Sequence, residues 1–406
     1  MRNLTVLKYV ATLVLSGQLL LPATVGLGLA AANPVKTATD GHNAFAVDLY
    51  QTLGDTEGNL FFSPLSISIA LSMTYAGARD ETAAVMQQVL HLSSDPSAVH
   101  EGNCVLQEML ENHLVATGQL ELANSLWPGR HEKLLESFVE TLQKNYGAEC
   151  RPLDYASDPA AAAKVINQWV AEKTHDRIVD LLQPGDITPD MRLVLVNAIS
   201  FEGKWVHAFD PERTYPTRFN LADGSFVEVP GMTQSADFSF AQLPGVSVVE
   251  LPFAGGNTSM VFAVPDAVDG LAKLEAQLTP AVIDQWLAAL RTSELHLTLP
   301  RFEMGERVDL AQVLSGMGMA EAFGREADFS GMTGDRGLFI DRVIHQAMLK
   351  VHEEGAEAAA ATAVMMKRAS ISPSLRVDRP FLFMIRHNET GSILFLGRLV
   401  DPRGKV

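Results

Sequence analysis

Hydrophobic residues recur with two different periods along this chain. In the first half they return every three to four positions, as on one face of a helix. This pattern predicts a helix around residues 45–53, a second that opens at Ser63-Pro64, and others over residues 98–114, 134–146 and 159–173. In the second half, apolar residues alternate or form short runs between turn residues, which is typical of strands. The predicted strands are 192–201, 226–229, 246–252, 259–264, 294–302, 338–351, 381–386 and 393–399, with short helices at 271–278, 281–290 and 309–314.

The order of these elements predicts an α+β fold with large sheets. From residue 41 onward the sequence contains no linker and no internal repeat. We therefore expect one domain rather than several.

Residues 1–32 have the layout of a secretory signal peptide. Arg2 and Lys8 precede an apolar stretch over residues 9–21, and the segment ends in Ala30-Ala31-Ala32. We expect cleavage after Ala32, which leaves a mature domain of residues 33–406 that is secreted or extracellular, or periplasmic if the source has two membranes. The alternative is a membrane anchor, which polar residues and proline within the apolar run disfavour.

Composition and charge narrow the classes of partner. The 406 residues include 31 Lys+Arg and 48 Asp+Glu, a net charge of −17 with histidine neutral, so nucleic acid and anionic membranes are not expected partners. The chain has two cysteines, Cys104 and Cys150, which excludes a multi-cysteine metal site. A disulfide between them and two free thiols both remain open.

Known catalytic motifs are missing from the sequence. It contains no nucleophile elbow, no Walker loop and no His-Glu-x-x-His zinc motif, since His131-Glu132 and His352-Glu353 lack the second histidine. The eleven histidines show no ligand spacing, so we expect no metal site. We expect a protein that is not an enzyme and needs no cofactor.

The segment that starts at His345 carries most of the functional information. Residues 345–351 alternate like a strand and run into Glu353-Glu354-Gly355-Ala356-Glu357-Ala358-Ala359-Ala360-Ala361-Thr362. The alanines favour a helix by propensity. With a period of two, the even-numbered residues from 356 to 366 instead form one small, uncharged strand face. From the residues alone, both structures remain open.

The same segment resembles the hinge of the inhibitory serpins, a family of serine protease inhibitors. Other stretches resemble that family in the same order, namely Asn59-Leu60-Phe61-Phe62-Ser63-Pro64-Leu65-Ser66-Ile67, Asn197-Ala198-Ile199-Ser200-Phe201-Glu202-Gly203-Lys204-Trp205, Leu299-Pro300-Arg301-Phe302, Asp378-Arg379-Pro380-Phe381-Leu382-Phe383 and residues 395–402. The resemblance covers residues 41–402. It implies a serpin fold, with about nine helices, three β-sheets and an exposed reactive-centre loop. We expect an exported, prokaryotic member of the family.

The resemblance implies that residues 353–379 form the reactive loop, the bait for the protease. The family's usual register, counted forward from Glu353 and back from Pro380-Phe381, places the scissile bond between Ala369 and Ser370. Since a protease reads the residue before the bond, Ala369 predicts an elastase-like or subtilisin-like serine endopeptidase, held in a covalent 1:1 complex. A bond between Arg368 and Ala369, cut by a trypsin-like protease, is the alternative.

The resemblance also assigns roles to residues outside the loop. Ser63, Ser66, Asn197 and His345 match the shutter, the polar cluster under the sheet where strands separate. Trp205, Arg301 and Glu353 match the breach, the top of the sheet where insertion begins. The helix that binds heparin in some serpins corresponds here to residues 99–114, which contain no lysine or arginine, so no heparin cofactor is expected.

The sequence leaves two other classes of function open. A non-inhibitory serpin-fold carrier or chaperone would share the architecture, but its hinge would carry bulky or charged residues where this chain has alanines. A hydrolase is the other alternative. We expect the protein to be a monomer.

Overall fold

The longer helices of the first half mostly begin where a capping side chain precedes proline. The structure, a computed structural model, describes residues 33–115, 119–354 and 373–403. Asn33, Ser63, Asp95 and Asp158 each accept a hydrogen bond from the first helical turn, and a proline follows each of them. The helices are α1 (Pro34–Leu53), α2 (Pro64–Tyr75), α3 (Asp80–Val89), α4 (Pro96–Leu110), α5 (Glu136–Tyr146) and α6 (Pro159–Lys173), and α4 continues as a π-helical turn, Glu111–Val115.

Strands dominate the second half, as the alternating pattern predicts. The strands are β1 (Leu60–Phe62), β2 (Leu120–Pro128), β3 (Glu149–Cys150), β4 (Leu193–Phe201), β5 (Thr214–Asn220), β6 (Phe226–Leu243), β7 (Val246–Pro252), β8 (Thr258–Pro265), β9 (Arg291–Pro300), β10 (Phe302–Asp309), β11 (Arg342–Val351), β12 (Ser374–Arg376), β13 (Phe381–His387) and β14 (Ile393–Leu399). Short helices lie between them: α7 (Leu271–Glu275), α8 (Pro280–Ala289), α9 (Ala311–Leu314) and α10 (Ser330–Thr333). The predicted α+β class is confirmed.

The smaller of two sheets contains five strands in the order β10-β11-β4-β2-β3. Alternate residues of β4 face two different apolar clusters: Leu195 and Ile199 join the main core, whereas Val196 and Ala198 pack with Ile166 of α6. Since β4 is buried along its whole length, both faces of the sheet are covered at its centre.

The other sheet has nine strands, with the path β1-β14-β13-β8-β7-β6-β9-β12 and β5 paired to β6. The described residues thus form two hydrogen-bonded sheets, where the resemblance implied three. The reason is β6, which has 18 residues and pairs with β5, β7 and β9 along its length, joining two halves into one ladder.

Several strand boundaries differ from the pattern-based prediction. The strand predicted over residues 338–351 begins at Arg342. The strand predicted over residues 226–229 continues through Pro230. Pro216 of β5 lies directly opposite Pro230, and because neither residue has an N–H to donate, the pair leaves no donor without a partner in the ladder. The strand predicted over residues 294–302 is divided at Arg301, between β9 and β10.

The residues from Asn33 onward form one compact unit. In the part of the chain that the structure describes, no helix combines the length and apolar character needed to cross a bilayer.

Candidate functional site

The centre of the five-stranded sheet is a pair of parallel neighbours, β4 and β11. They pair in register over eight positions, from Arg342 opposite Val194 to Leu349 opposite Phe201. The chain leaves β11 at Val351, at the end of this pair. A segment that turned back between the two strands would run antiparallel to both, and would replace one parallel ladder with two antiparallel ladders. Parallel pairing is slightly less stable per residue, so the sheet would gain from the exchange.

A row of three polar residues crosses the sheet at this pair. Asn124 of β2 lies opposite Asn197 of β4, and Asn197 lies opposite His345 of β11. The Asn197 amide donates to Asn124 Oδ1, and Asn197 Oδ1 pairs with His345 Nδ1. Side-chain hydrogen bonds therefore hold together the two strands that an inserted strand would have to separate.

Residues at the start of α2 complete this cluster through hydrogen bonds to the polar row. The backbone N–H of Ser63 donates to His345 Nε2 at 3.1 Å, and Ser66 Oγ accepts from the Asn197 amide. The Ser63 hydroxyl donates to the Leu394 carbonyl of β14 at 2.6 Å and also accepts from the N–H of Ser66, as the cap of α2. The four residues predicted for the shutter thus contact one another directly or through one shared partner.

Asn124 belongs to the same cluster but was missed by the sequence analysis. Its strand, β2, was not predicted, because Glu121, Asn124 and Ser125 interrupt the apolar pattern. Its Nδ2 is buried and has no hydrogen-bond partner among the described residues. The signal that would identify it is its position opposite Asn197, which only the strand pairing supplies.

The hydrogen bonds determine the tautomer and charge of His345. Since Nε2 accepts from Ser63, the ring proton is on Nδ1 and is donated to Asn197 Oδ1. Complete burial lowers the pKa of His345 to about 3, because the charged form would lose its hydration. The imidazole is therefore neutral at physiological pH.

The contact between Ser63 and His345 is not that of a nucleophile and its base. The histidine accepts from the main chain of Ser63, while the hydroxyl donates to a carbonyl. Both residues are also fully buried, so no substrate reaches them. Hydrolysis through a serine activated by this histidine would need a hydroxyl-to-imidazole hydrogen bond, which this geometry excludes.

At the end of β11, Glu353 is held by several neighbours. Its carboxylate accepts from the Thr214 hydroxyl at 2.8 Å, and its carbonyl accepts from the N–H of Phe209 at 2.8 Å. The predicted partner, Arg301, lies 3.9 Å from the carboxylate, with its side chain 56% exposed. Because exposed pairs contribute little, Thr214, which sequence analysis missed, is the stronger partner of the side chain.

Trp205 lies beside the same strand end. Its indole N–H donates to the carbonyl of His352 at 3.0 Å, and its ring stacks on Phe253 with centroids 4.4 Å apart. The three residues predicted for the breach thus lie together at the end of β11, where the chain leaves the sheet: Trp205, Arg301 and Glu353.

The chain is held again downstream, in the other sheet. Residues 374–376, as β12, pair with β9, and the carbonyl of Pro373 accepts from the N–H of His296 at 3.0 Å. The predicted loop therefore connects anchors in two different sheets. The hinge residues 355–362, the bond Ala369–Ser370 and the alternative bond Arg368–Ala369 lie outside the described residues.

We predict that acid weakens the closed sheet through His345. The folded-state pKa lies below the unfolded value of about 6.5, so the unfolded chain binds more protons between the two values. Stability is therefore complete above about pH 6.5 and falls as the pH drops toward 3, by up to about 1.4 kcal/mol per pH unit for this one group. Thermal unfolding of the intact protein between pH 7.5 and 4.5 measures the slope.

The slope should be smaller in His345→Asn, which lacks the titrating ring. Exposed His131→Asn is the matched control and should keep the wild-type slope. Buried His42, whose pKa burial lowers to about 4, adds to the slope in both variants. Equal slopes in the wild type and His345→Asn would contradict the assignment.

Comparisons with known proteins agree with this geometry. A family model described as Serpin (serine protease inhibitor) matches residues 40–402. The chain is 40% identical to the bovine leukocyte elastase inhibitor, over 88% of this chain and 97% of the relative, and 36% identical to human Serpin B3, over 91% and 100%. Uncleaved ovalbumin superposes with a TM-score of 0.83 at 30% identity, covering 91% of this chain and 100% of ovalbumin. Arabidopsis AtSerpin1 in its native stressed conformation also gives 0.83, at 28% identity, over 91% and 99%.

These relatives come from animals and a plant and give no support to the expected prokaryotic origin. The family match covers nearly the whole described chain, and the same segments carry the row of polar residues and the strand end described above. The chain therefore belongs to the serpin family and is a serine protease inhibitor, not an enzyme.

Proposed function

We propose that this serpin is a suicide substrate of an elastase-like or subtilisin-like serine protease, cut between Ala369 and Ser370. The observation that carries the mechanism is the parallel pairing of β4 with β11, because the chain that follows β11 leaves at the end of that pair. A cut loop that turns back there becomes a strand antiparallel to both neighbours. Insertion of a cleaved reactive loop into the central sheet is a recognised form of β-augmentation in serpins.

The chemical step follows serine protease chemistry. The protease serine attacks the carbonyl carbon of Ala369, its Oγ forms an ester, and the bond to the nitrogen of Ser370 breaks. The amine of Ser370 takes a proton and leaves as the new N-terminus of the downstream segment. The upstream segment remains esterified to the protease and is free to insert.

Insertion carries the tethered protease along the sheet. About fourteen residues at roughly 3.3 Å each give a displacement of about 46 Å. Displacements on the order of 1 Å already impair catalysis, so deacylation stalls. If each inserted residue gains about 1 kcal/mol from a hydrogen bond, insertion supplies on the order of 14 kcal/mol before ordering costs. The uncut protein is then a kinetically trapped state.

The identity of the residue before the bond supports the choice of target. Ala369 suits a small apolar pocket, and the two anchors of the loop, Glu353 and Pro380, lead to the same bond. Relatives named leukocyte elastase inhibitor support an elastase-like protease. Cleavage between Arg368 and Ala369 by a trypsin-like protease is the alternative within the same mechanism.

Hinge composition favours inhibition over a carrier role. The even-numbered positions 356, 358 and 360 are alanine, which fits between two buried strands.

We further propose that the protein is exported, with residues 1–32 as its signal peptide. These residues lie outside the described part of the chain. The proposal is supported by their basic start, apolar middle and alanine-rich end, and by Asn33, which caps α1 directly after the expected cleavage site. N-terminal sequencing of the released protein tests it, and a mature chain that retains residues 1–32 would contradict it.

The first prediction of this mechanism is a denaturant-resistant 1:1 complex with an elastase-like or subtilisin-like protease. Mass spectrometry should place the cut after Ala369, because that residue fills the protease pocket. Arg368→Ala is the control, since it should leave this complex intact and abolish any complex with a trypsin-like protease. Turnover of the loop by every protease tested, with no covalent complex, would overturn the inhibitor mechanism for this chain.

Heat provides the second prediction. Loop cleavage by a protease that is not trapped should allow insertion, so the cut protein should melt at a much higher temperature than the intact protein. Differential scanning calorimetry of both forms measures the change. Equal melting temperatures would be inconsistent with a metastable native state.

The third prediction compares neighbouring hinge positions. On insertion, Ala358 should face the buried interior and Ala359 the opposite side, because alternate strand residues point to opposite faces. In Ala358→Glu an unpaired carboxylate would enter the sheet interior, at a cost of at least several kcal/mol unless it protonates. Insertion should slow, and deacylation should overtake it. The measurement is the number of inhibitor molecules consumed per protease inactivated.

Ala359→Glu is the matched control for this experiment. It should raise that number less than Ala358→Glu, although α6 covers the second face of the sheet beside Val196 and Ala198 and adds some cost. Both variants should melt like the wild type before cleavage. An equal rise in both would show that the assignment of the two faces is wrong.

A further inference from the structure

Three side chains with metal-binding atoms meet where the end of α4 approaches the hairpin of β13 and β14. His113 lies in the π-helical turn after α4, His387 ends β13, and Glu389 lies in the hairpin turn. One ligand atom from each lies within 4.8 Å of the other two. His113 Nδ1 is 3.3 Å from His387 Nε2 and 4.0 Å from Glu389 Oε2. None of the three residues belongs to β4 or β11, and the cluster has no part in the mechanism proposed above.

We propose that His113, His387 and Glu389 form a binding site for Zn²⁺. At a zinc–nitrogen distance of 2.0–2.1 Å, two ligands of a tetrahedral site lie about 3.3 Å apart, which is the separation of the two imidazole nitrogens. The Glu389 carboxylate lies 4.0 Å from His113 and within 4.8 Å of a ring nitrogen of His387. It needs to move by roughly 0.7–1.5 Å to reach that spacing, and its side chain is 58% exposed. His113 would bind through Nδ1, with its ring proton on Nε2.

The partner of the second ring nitrogen orients His387 for this role. His387 Nδ1 lies 2.9 Å from Thr390 Oγ1. That hydroxyl donates to Ser392 Oγ at 2.9 Å, so it must accept from the histidine, and the proton of His387 is on Nδ1. The lone pair of Nε2 then points toward His113. Metal-binding histidines are commonly held by such a hydrogen bond on the other nitrogen.

The hydrogen-bond chain extends into the core of the protein. Ser392 is fully buried, and its hydroxyl lies 3.2 Å from Thr39 Oγ1 of α1. His387 is itself fully buried, so its ring is fixed in place rather than free to rotate. One ligand is therefore rigid and preformed, and the exposed Glu389 can adjust to the ion.

The donor types select the class of metal. Two imidazoles and one carboxylate suit zinc and similar transition metals, whereas calcium and magnesium prefer sites made entirely of oxygen atoms. Three protein ligands leave a fourth position for water or an external group on the exposed side, beside Glu389. A bound ion would link the end of α4 to a hairpin 274 residues away in the chain.

The test is a Zn²⁺ titration of the untagged, full-length mature protein against a chromophoric chelator. We expect one ion per chain, and an affinity at least tenfold lower in His113→Gln and in Glu389→Gln. His131→Gln is the matched control, since it removes an exposed histidine outside the cluster and should bind like the wild type. Co²⁺ in place of zinc should give the visible absorption of a tetrahedral site in the wild type and the control.

A stability measurement separates loss of the site from loss of folding. At a free zinc concentration of 100 times Kd, the ratio of folded to unfolded protein should rise about 100-fold in the wild type and stay unchanged in His113→Gln. Without metal, both proteins should melt within a few degrees of each other. Absence of stoichiometric zinc binding in the wild type would overturn the proposal, as would wild-type affinity in either His113→Gln or Glu389→Gln.

Discussion

The parallel pairing of β4 with β11 is the constraint on which the rest of this structure depends. Two long strands that run the same way, at the centre of a sheet, leave a position that a returning strand would fill with better hydrogen bonds on both sides. The chain that could fill it begins at the end of β11 itself. The native fold is therefore one of two arrangements of the same backbone, without and with the returning strand between β4 and β11. The polar row and the contacts at the end of β11 affect how the second arrangement is reached.

The row Asn124, Asn197 and His345 lies at the point where the two arrangements compete. Buried polar groups cost free energy unless they are paired, and here most of them are paired with one another across the strands. Apolar side chains at the same place would exclude water, but they could not form hydrogen bonds with the backbone of an inserted strand. Amide and imidazole groups can exchange one hydrogen-bond partner for another. The polar row can therefore hold the sheet closed and form new hydrogen bonds once the sheet opens. Such an exchange of partners gives a polar cluster a function in an otherwise apolar core.

Sequence patterns predicted most elements of the fold but few of their pairings. Helix α6 was predicted with the bounds 159–173 because its apolar positions recur at helical spacing, and in the structure Asp158 caps it before Pro159. Strand β2 was missed because its polar residues face partners that only the folded sheet provides. The shutter residues were found by resemblance, whereas Asn124 and Thr214 depend on contacts between distant segments. His113 and His387 show no ligand spacing in the sequence, since the hairpin of β13 and β14 brings them together.

The contacts at the end of β11 are too weak to explain the persistence of the native state by themselves. Hydrogen bonds from Thr214 and Phe209 to Glu353 contribute about 1 kcal/mol each, and the partly exposed pair with Arg301 contributes less. Insertion offers on the order of 14 kcal/mol, so equilibrium would favour it. Insertion must therefore be delayed by a kinetic barrier. The hydrogen bonds between β4 and β11, and those of the row Asn124, Asn197 and His345, have to break before the first new hydrogen bond forms. In addition, a loop anchored at both Glu353 and β12 cannot supply a full strand. Cleavage removes the second tie and leaves the first in place, which turns a constrained loop into a strand already positioned at the entrance to the sheet.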